Sequence, residues 1–332
     1  MSNALLRPSS IAQHPLHERR YRLPTPAIEA LYTLITDALD RRRPGVMVYG
    51  RSRLGKTTAI AYIEALLAVE RPALPVVTLR CRFKRVPSET AFFSSFLAAV
   101  RHKATSGRDA ELLRQRLVQR MCEMTDAKAA NQLLLFADEA QNFSNCEYEW
   151  LRDPHDNLQH WGKTMLVVLV GQPELHGQKA SFQRSNSMHI VSRFMVHEMA
   201  FRGARDAQDC ATCLQGYDQQ EFPARSGWTH TRFFFPMAYA AGFRLAREGA
   251  ALWYAFLQAH NSTLWPEPLE IGMEFFTAAV EHLMLTHAHQ DEAGFRPSIE
   301  LWTQAVLASG YVQATLSGMS QDPHSRPRSK MP

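Results

Sequence analysis

The sequence predicts an α/β fold: a parallel five-stranded sheet flanked by helices, followed by an all-helical region. Three observations carry that expectation. Short apolar runs alternate with helical patterns through the first part of the chain. One octapeptide, Gly50-Arg51-Ser52-Arg53-Leu54-Gly55-Lys56-Thr57, fits the P-loop pattern G-x-x-x-x-G-K-[ST] and sits between an apolar run and a helical pattern. After about residue 203 the strand signals stop and only helical patterns remain.

Residues 1 to about 24 are polar, without a clear period, and read as an arm. Thr25-Pro26 opens a helix, Thr as cap and Pro in first position, with Ile28, Leu31, Leu34, Ile35 and Leu39 at helical spacing. Arg41-Arg42-Arg43 places cations at its C-terminus, and Pro44-Gly45 turns the chain into the first strand, Val46–Tyr49. A helix over Thr57–Val69 follows, then a second buried strand, Pro75–Leu79. Pro87-Ser88-Glu89 caps a helix with Phe92, Phe93, Phe96, Leu97 and Val100 on one face, and Gly107 breaks it. The next helix carries Leu112, Leu113, Leu117, Val118 and Met121. Leu133–Glu139 reads as a third strand ending in acids, Thr164–Val170 as a fourth closed by Gly171, and Phe194–Met199, which alternates, as a fifth. Helical patterns occupy about 205–219, 236–260, 269–289 and 297–312. The expected organisation is an N-terminal arm and helix (1–43), an α/β core (44–202), a helical domain (203–316) and a Ser/Pro/Arg-rich disordered tail (317–332).

At 332 residues, 45% hydrophobic and 21% charged, the chain has the composition of a soluble globular protein with a sizeable core. Its net charge of +5 leans toward a polyanionic partner. Five cysteines are no disulfide framework, and the lone Cys210-x-x-Cys213 falls mid-helix without further metal ligands near it. His282, His287 and His289 share no helical face and read as surface residues. No apolar run approaches the ~18 residues of a membrane span, and the N-terminus lacks a signal-peptide core. The expected location is cytoplasmic, with no membrane partner.

The P-loop has a physical logic. Its glycines let backbone N–H groups turn inward around phosphate oxygens, and the helix that follows offers its positive N-terminus. The whole stretch from Gly50 to Thr57, with Thr58 after it, forms the expected ATP cradle. Lys56 reaches the β- and γ-phosphates, and the Thr57 hydroxyl holds Mg²⁺. Asp138-Glu139 ends an apolar strand in the Walker B arrangement: Asp138 is placed for Mg²⁺ and Glu139 to polarise an attacking water. A second acid of this kind suits a hydrolase, with ATP converted to ADP and phosphate. Gln172, at the end of the fourth strand, lies where it can bond the γ-phosphate or the water. Arg193, before the fifth strand, is a candidate arginine finger for a neighbouring subunit's phosphate, with Arg202 and Arg205 as competitors.

GRSRLGKT, LLLFADEAQN and LVGQPEL, in this order, resemble an AAA+ ATPase, and within that class the TnsC/TniB transposition regulators and the related ExeA-type ATPases. The resemblance covers about residues 44–200. Phe233-Phe234-Phe235-Pro236 and Ala241–Leu245 are similar to lid helices of TnsC proteins from CRISPR-associated transposons. The resemblance implies Mg-ATP at a subunit interface, a helical lid with Arg244 as sensor (Arg225 or Arg232 as alternatives), and ring or filament assembly of a homo-oligomer. It further implies loading onto double-stranded DNA, linking a TniQ-like target-selection protein to transposase subunits.

Arg80, Arg82, Lys84 and Arg85 follow the second strand, and Arg101 and Lys103 lie at the far end of the next helix. If the intervening phenylalanines are buried, both clusters can converge on one surface and neutralise DNA phosphates without reading bases. The family resemblance puts this region near a ring's pore. Arg326, Arg328 and Lys330 in the tail offer a further contact. The function expected is therefore a DNA-binding, oligomeric ATPase that regulates transposition. The competing readings are an ExeA-like ATPase of secretion or envelope assembly, and a nucleotide switch that hardly turns ATP over.

Overall fold

The computed structural model describes residues 7–321. Its strands are β1 (Gly45–Tyr49), β2 (Val76–Arg80), β3 (Gln132–Asp138), β4 (Thr164–Gly171) and β5 (His197–Ala200). They form one parallel sheet in the order β2-β3-β4-β1-β5. Place in the sheet explains their burial. β3 is buried from Leu133 to Asp138 and β4 from Met165 to Gly171, as strands covered by helices on both faces must be. β2 lies at an edge, so its apolar run is only half-buried: Val77 and Leu79 point inward while Val76 and Thr78 do not.

The helices in chain order are α1 (Pro15–Glu18), α2 (Pro26–Asp40), α3 (Lys56–Glu70), α4 (Glu89–Ala99), α5 (Ala110–Asp126), α6 (Asn145–His160), α7 (Glu174–Arg184), α8 (Met188–Phe194), α9 (Ala207–Gln219), α10 (His230–Phe234), α11 (Pro236–Ala240), α12 (Gly249–Thr263), α13 (Met273–His287), α14 (Ile299–Ala308) and α15 (Tyr311–Gln321). By their contacts, among the described residues, 28–52 and 56–201 make one unit, and 7–27, 53–55 and 202–321 make the other.

The first unit holds the sheet. α4 buries Phe92, Phe93, Phe96 and Leu97, and each large apolar side chain so buried contributes about 1.5–3 kcal/mol. Two departures from the sequence expectation lie here. α6 occupies a stretch for which the sequence carries no strand or helix expectation; Ser144 caps it through a reciprocal capping box with Glu147, and it runs on through Pro154. The fifth strand starts three residues later than its alternation suggests. Phe194 ends α8 and is fully buried, while β5 begins at His197 and pairs with Val46–Tyr49 of β1. Gly45 permits this packing, because a Cβ there would fall 2.6 Å from Phe194 Cα.

The second unit is all helical apart from isolated bridges, with Tyr217, Phe233, Phe234, Phe235, Phe256, Phe276 and Trp302 fully buried. The single helical pattern expected over 236–260 divides. α11 stops at Ala240, Gly242 takes φ +93°, and Leu245–Glu248 form a 3₁₀ turn before α12. Asp218 accepts hydrogen bonds from the Leu245 and Ala246 N–H groups at 3.0 and 2.9 Å, satisfying that turn's free donors. The pattern over 297–312 breaks at Gly310 (φ +79°), and α15 runs to Gln321, into the segment expected as a tail. Residues 322–332, with Arg326, Arg328 and Lys330, lie outside the described residues. His287, expected at the surface, is buried. Cys210 and Cys213 are free, buried thiols on α9, and burial pushes both up, Cys213 to about 12. No cluster able to hold a metal occurs among the described histidines, cysteines and acids, and no described helix is long and apolar enough to cross a membrane.

The arm is described from residue 7 onward. His14 is buried among Phe222, Phe233 and Phe234, its Nδ1 accepting from Leu16 N at 3.2 Å. The neutral ring therefore carries its proton on Nε2, which donates to His230 Nδ1 at 3.2 Å. Burial pulls His14 down to about 3, helped by His230, and pulls His230 down to about 4. The unfolded chain binds these protons first, so the neutral pair stabilises fully above about pH 6.5 and loses that contribution as pH falls toward 4. We expect the urea midpoint to fall more steeply from pH 7 to pH 5 in the parent than in a His14→Leu/His230→Leu variant. Equal slopes would contradict this.

Candidate functional site

Strand register builds the site. Tyr49 pairs with Gly171 and Asp138 with Val170, so the ends of β1, β3 and β4 meet on one side of the sheet. The P-loop leaves β1 there, tied to β4 by a hydrogen bond from Gly50 N to Gly171 O (3.1 Å). Arg53 (φ +65°) and Gly55 (φ +93°) take left-handed backbone at the bend. Arg51, Ser52, Arg53 and Thr58 are exposed, Leu54 is buried, and Lys56 begins α3.

Lys56 is buried, and its ammonium donates to Gly50 O and Arg51 O, both at 2.7 Å. Burial lowers its pKa, opposed by the charges of Glu139, Asp138 and Glu174. Thr57 Oγ1 donates to Asp138 Oδ2 at 2.9 Å, which brings together two residues far apart in sequence. Asp138 is buried, and that burial raises its pKa against the Thr57 hydrogen bond. A hydroxyl and a carboxylate side by side, the latter costly to ionise where it stands, fit Mg²⁺, which takes oxygen ligands and keeps several waters.

Glu139 follows in left-handed backbone (φ +59°), and its N–H donates to Asp138 Oδ1 at 3.1 Å. Its carboxylate accepts from Gln141 Nε2 at 2.6 Å. Gln172 stands directly after β4, half-buried, its N–H donating to Gln141 Oε1 at 3.0 Å. Lys56, Thr57, Asp138, Glu139 and Gln172 thus gather at one sheet end.

Such a site belongs to a recognisable domain. Residues 39–178 match the family model of an AAA domain. No curated protein matches the sequence. Among solved structures, the chain is similar to ORC2 of Aeropyrum pernix, solved in ADPNP–ADP complexes, at 14% identity and a TM-score of 0.55, covering 89% of this chain and 71% of that one. It is similar to ORC1 of Aeropyrum pernix in complex with DNA (12% identity, TM-score 0.50, 87% and 67% covered). A third likeness is to Drosophila ORC bound to DNA (14% identity, TM-score 0.50, 95% and 72% covered). At these identities the likeness is one of fold: the parallel five-stranded sheet with flanking helices and a helical C-terminal region.

The candidate arginines lie in other settings. Arg193, in the last turn of α8 and beyond the matched AAA domain, forms an ion pair with Asp156, and its Nη1 lies 3.4 Å from His155 Nδ1. His155 is buried and pulled down to about 4 by that burial and by the Arg193 charge. Arg202 is exposed, and Arg205 lies 3.9 Å from Asp209. In the helical unit, Arg244 donates to Tyr239 O (3.0 Å) and Phe243 O (2.6 Å) and covers the Tyr239 ring at 3.6 Å. Arg232 donates to Gly227 O at 2.8 Å, and Arg225 is exposed.

The basic residues at the end of β2 and after it border a groove of about 390 Å³ lined by Arg80, Arg82, Lys84, Phe92, Ala98 and Ala99, among others. Ala98 and Ala99, which end α4, line the groove, while Arg101 and Lys103 follow them in the chain and do not line it. Arg82, Arg85, Arg101 and Lys103 are exposed. Lys84 is not equivalent to them: its ammonium donates to the buried Glu147 carboxylate at 2.6 Å and lies over the Phe92 ring. With the hydrogen bond from Asn142 Nδ2 to Cys81 O (3.2 Å), that pair anchors the loop. Anchored in this way, the loop presents Phe83, 80% exposed, and Val86, 78% exposed. In the sequence Phe83 is only an apolar residue among Arg82, Lys84 and Arg85, and Gln141 carries no evident role although it lies within the motif Asp138–Asn142.

Proposed function

We propose that this protein is an ATP-hydrolysing AAA+ ATPase that assembles as a homo-oligomer on double-stranded DNA and regulates transposition. It would link a TniQ-like target-selection protein to a transposase. Residues 44–202 serve as its nucleotide-binding core and 203–316 as its helical lid domain. The observation that carries the reading is the convergence of Lys56, the Thr57–Asp138 pair, Glu139 and Gln172 at one end of the sheet. Its transposition part rests on the motifs LLLFADEAQN and LVGQPEL.

In this reading the P-loop N–H groups and Lys56 hold the phosphates of ATP, with Lys56 exchanging its two carbonyl partners for phosphate oxygens. Thr57 and Asp138 hold Mg²⁺, which supplies charge neutralisation to the phosphates. Glu139 accepts a proton from the attacking water, and Gln172 orients the water or the γ-phosphate. Arg193 serves as the finger toward a neighbouring subunit once its pairing with Asp156 is given up.

Arg82, Arg85, Arg101 and Lys103 contact the DNA backbone, so affinity for duplex DNA falls steeply with salt. An Arg82→Glu/Arg85→Glu variant is expected to bind a duplex at least tenfold more weakly by fluorescence anisotropy. Its salt slope should be shallower by about two phosphate contacts, and its ATP affinity should match the parent's. DNA affinity equal to the parent's would overturn the placement. The transposition part is tested first by whether a transposase is encoded beside its gene and then by ATP-dependent co-sedimentation with that transposase; absence of either would remove that part.

A further inference from the structure

Glu139 does not stand alone at the end of β3. Its left-handed backbone folds the following 3₁₀ turn, Ala140–Asn142, back over it. The Gln141 side chain returns in two directions: Nε2 donates to Glu139 Oε2 at 2.6 Å, and Oε1 accepts the Gln172 N–H at 3.0 Å. Its orientation follows from its partners, since a carboxylate accepts only from the NH₂ side and an N–H donates only to the oxygen. The amide lies in a slot that a side chain at position 171 would fill: a Cβ on Gly171 would fall 2.5 Å from Gln141 Oε1. The turn's backbone is fixed from α7, where Gln178 Nε2 donates to Gln141 O and Phe143 O, both at 2.9 Å. Gln178 is held in turn by the buried Tyr148 hydroxyl at 2.8 Å.

We propose that Gln141 is the positioning residue of the hydrolytic step, joining the Glu139 carboxylate to the end of β4 so that Glu139 and Gln172 act as one rigid pair. The proposal rests on the hydrolase reading above. Gln141 acts through Glu139, so its loss is felt in turnover and not in nucleotide binding. A side chain out of place by about 1 Å can lower a rate by about 10²-fold. The geometry also explains why the motifs Asp138–Asn142 and Gly171–Leu175 belong together in this chain: the amide of one seats in the glycine slot of the other.

The test combines kinetics with amide hydrogen exchange on the full chain. Gln141→Ala is expected to lower kcat for ATP roughly 10- to 100-fold with KM changed less than about threefold. Added to Glu139→Gln, it should slow the residual rate by much less than it slows the parent, since Gln141 acts mainly through Glu139. Without nucleotide, the Gln172 amide should exchange faster in Gln141→Ala than in the parent. Gln141→Glu separates the two bonds: it can still accept from Gln172, so exchange stays slow, but it sets a second carboxylate against Glu139, so kcat falls as in Gln141→Ala. Gly171→Ala should reproduce both losses by filling the slot. The proposal is overturned if Gln141→Ala keeps kcat within twofold of the parent, if its loss multiplies undiminished onto Glu139→Gln, or if Gln172 exchange is unchanged. A parent that binds ATP but never hydrolyses it overturns the hydrolase reading instead, and Gln172 exchange then still decides whether Gln141 joins the two elements.

Discussion

Replacing Glu139 by glutamine should lower the turnover number for ATP by roughly 10²–10³-fold while leaving ATP affinity within about threefold. The substitution is nearly isosteric, and its amide oxygen can still accept from Gln141 Nε2, the partner now 2.6 Å from the carboxylate. The P-loop, the Thr57–Asp138 pair and Lys56 are untouched. On the proposed reading, what disappears is an acceptor for the proton of the attacking water, together with one negative charge near Lys56, whose pKa Glu139 helps to hold up. General-base action of this kind is worth about 10²–10⁴ in rate, and losing it should lower kcat and kcat/KM together, as for an interaction made only in the transition state. Steady-state phosphate release and binding of a fluorescent ATP analogue measure the two halves. A variant that hydrolyses ATP like its parent would remove Glu139 from the base role.

Replacing Lys56 by methionine should remove nucleotide binding itself. A buried ammonium facing phosphate loses about 2–5 kcal/mol on truncation, which is about 30-fold to several thousandfold in affinity. Folding should change little. Lys56 already bears a burial cost, visible in its lowered pKa, and a side chain of similar length without charge avoids it. The two hydrogen bonds that it gives to Gly50 O and Arg51 O are lost, at about 0.5–1.5 kcal/mol each. Calorimetric titration with ATP and a urea melt separate the effects: binding gone, midpoint nearly kept. ATP affinity equal to the parent's would show that the octapeptide is only a glycine-rich turn.

Much of the site is legible in the sequence because its parts are local. A P-loop is one contiguous turn between a strand and a helix, and the buried runs before Asp138 and Gly171 announce central strands whose ends must lie side by side. The relations that tertiary packing creates are not legible. Gln141 reads as an unremarked polar residue until Gly171 opens a slot for it. Lys84 reads like Arg82 and Arg85, because the carboxylate that engages it, Glu147, comes from a helix that the sequence reading passed over. That helix did carry a signal, the spacing of Ser144 and Glu147, masked by few apolar residues and by Pro154. The fifth strand starts three residues after its alternation begins, because Phe194 and Met195, both buried, belong to the end of a helix and its cap. An alternating pattern cannot tell that from a strand edge.

The most direct measurement of a nucleotide-controlled assembly on DNA is electron microscopy of the full chain with a non-hydrolysable ATP analogue, with and without a DNA duplex, beside Lys56→Met. Rings or filaments on the duplex, formed by the parent with nucleotide and absent from Lys56→Met, are the predicted result. A parent that stays monomeric under every condition would contradict the account.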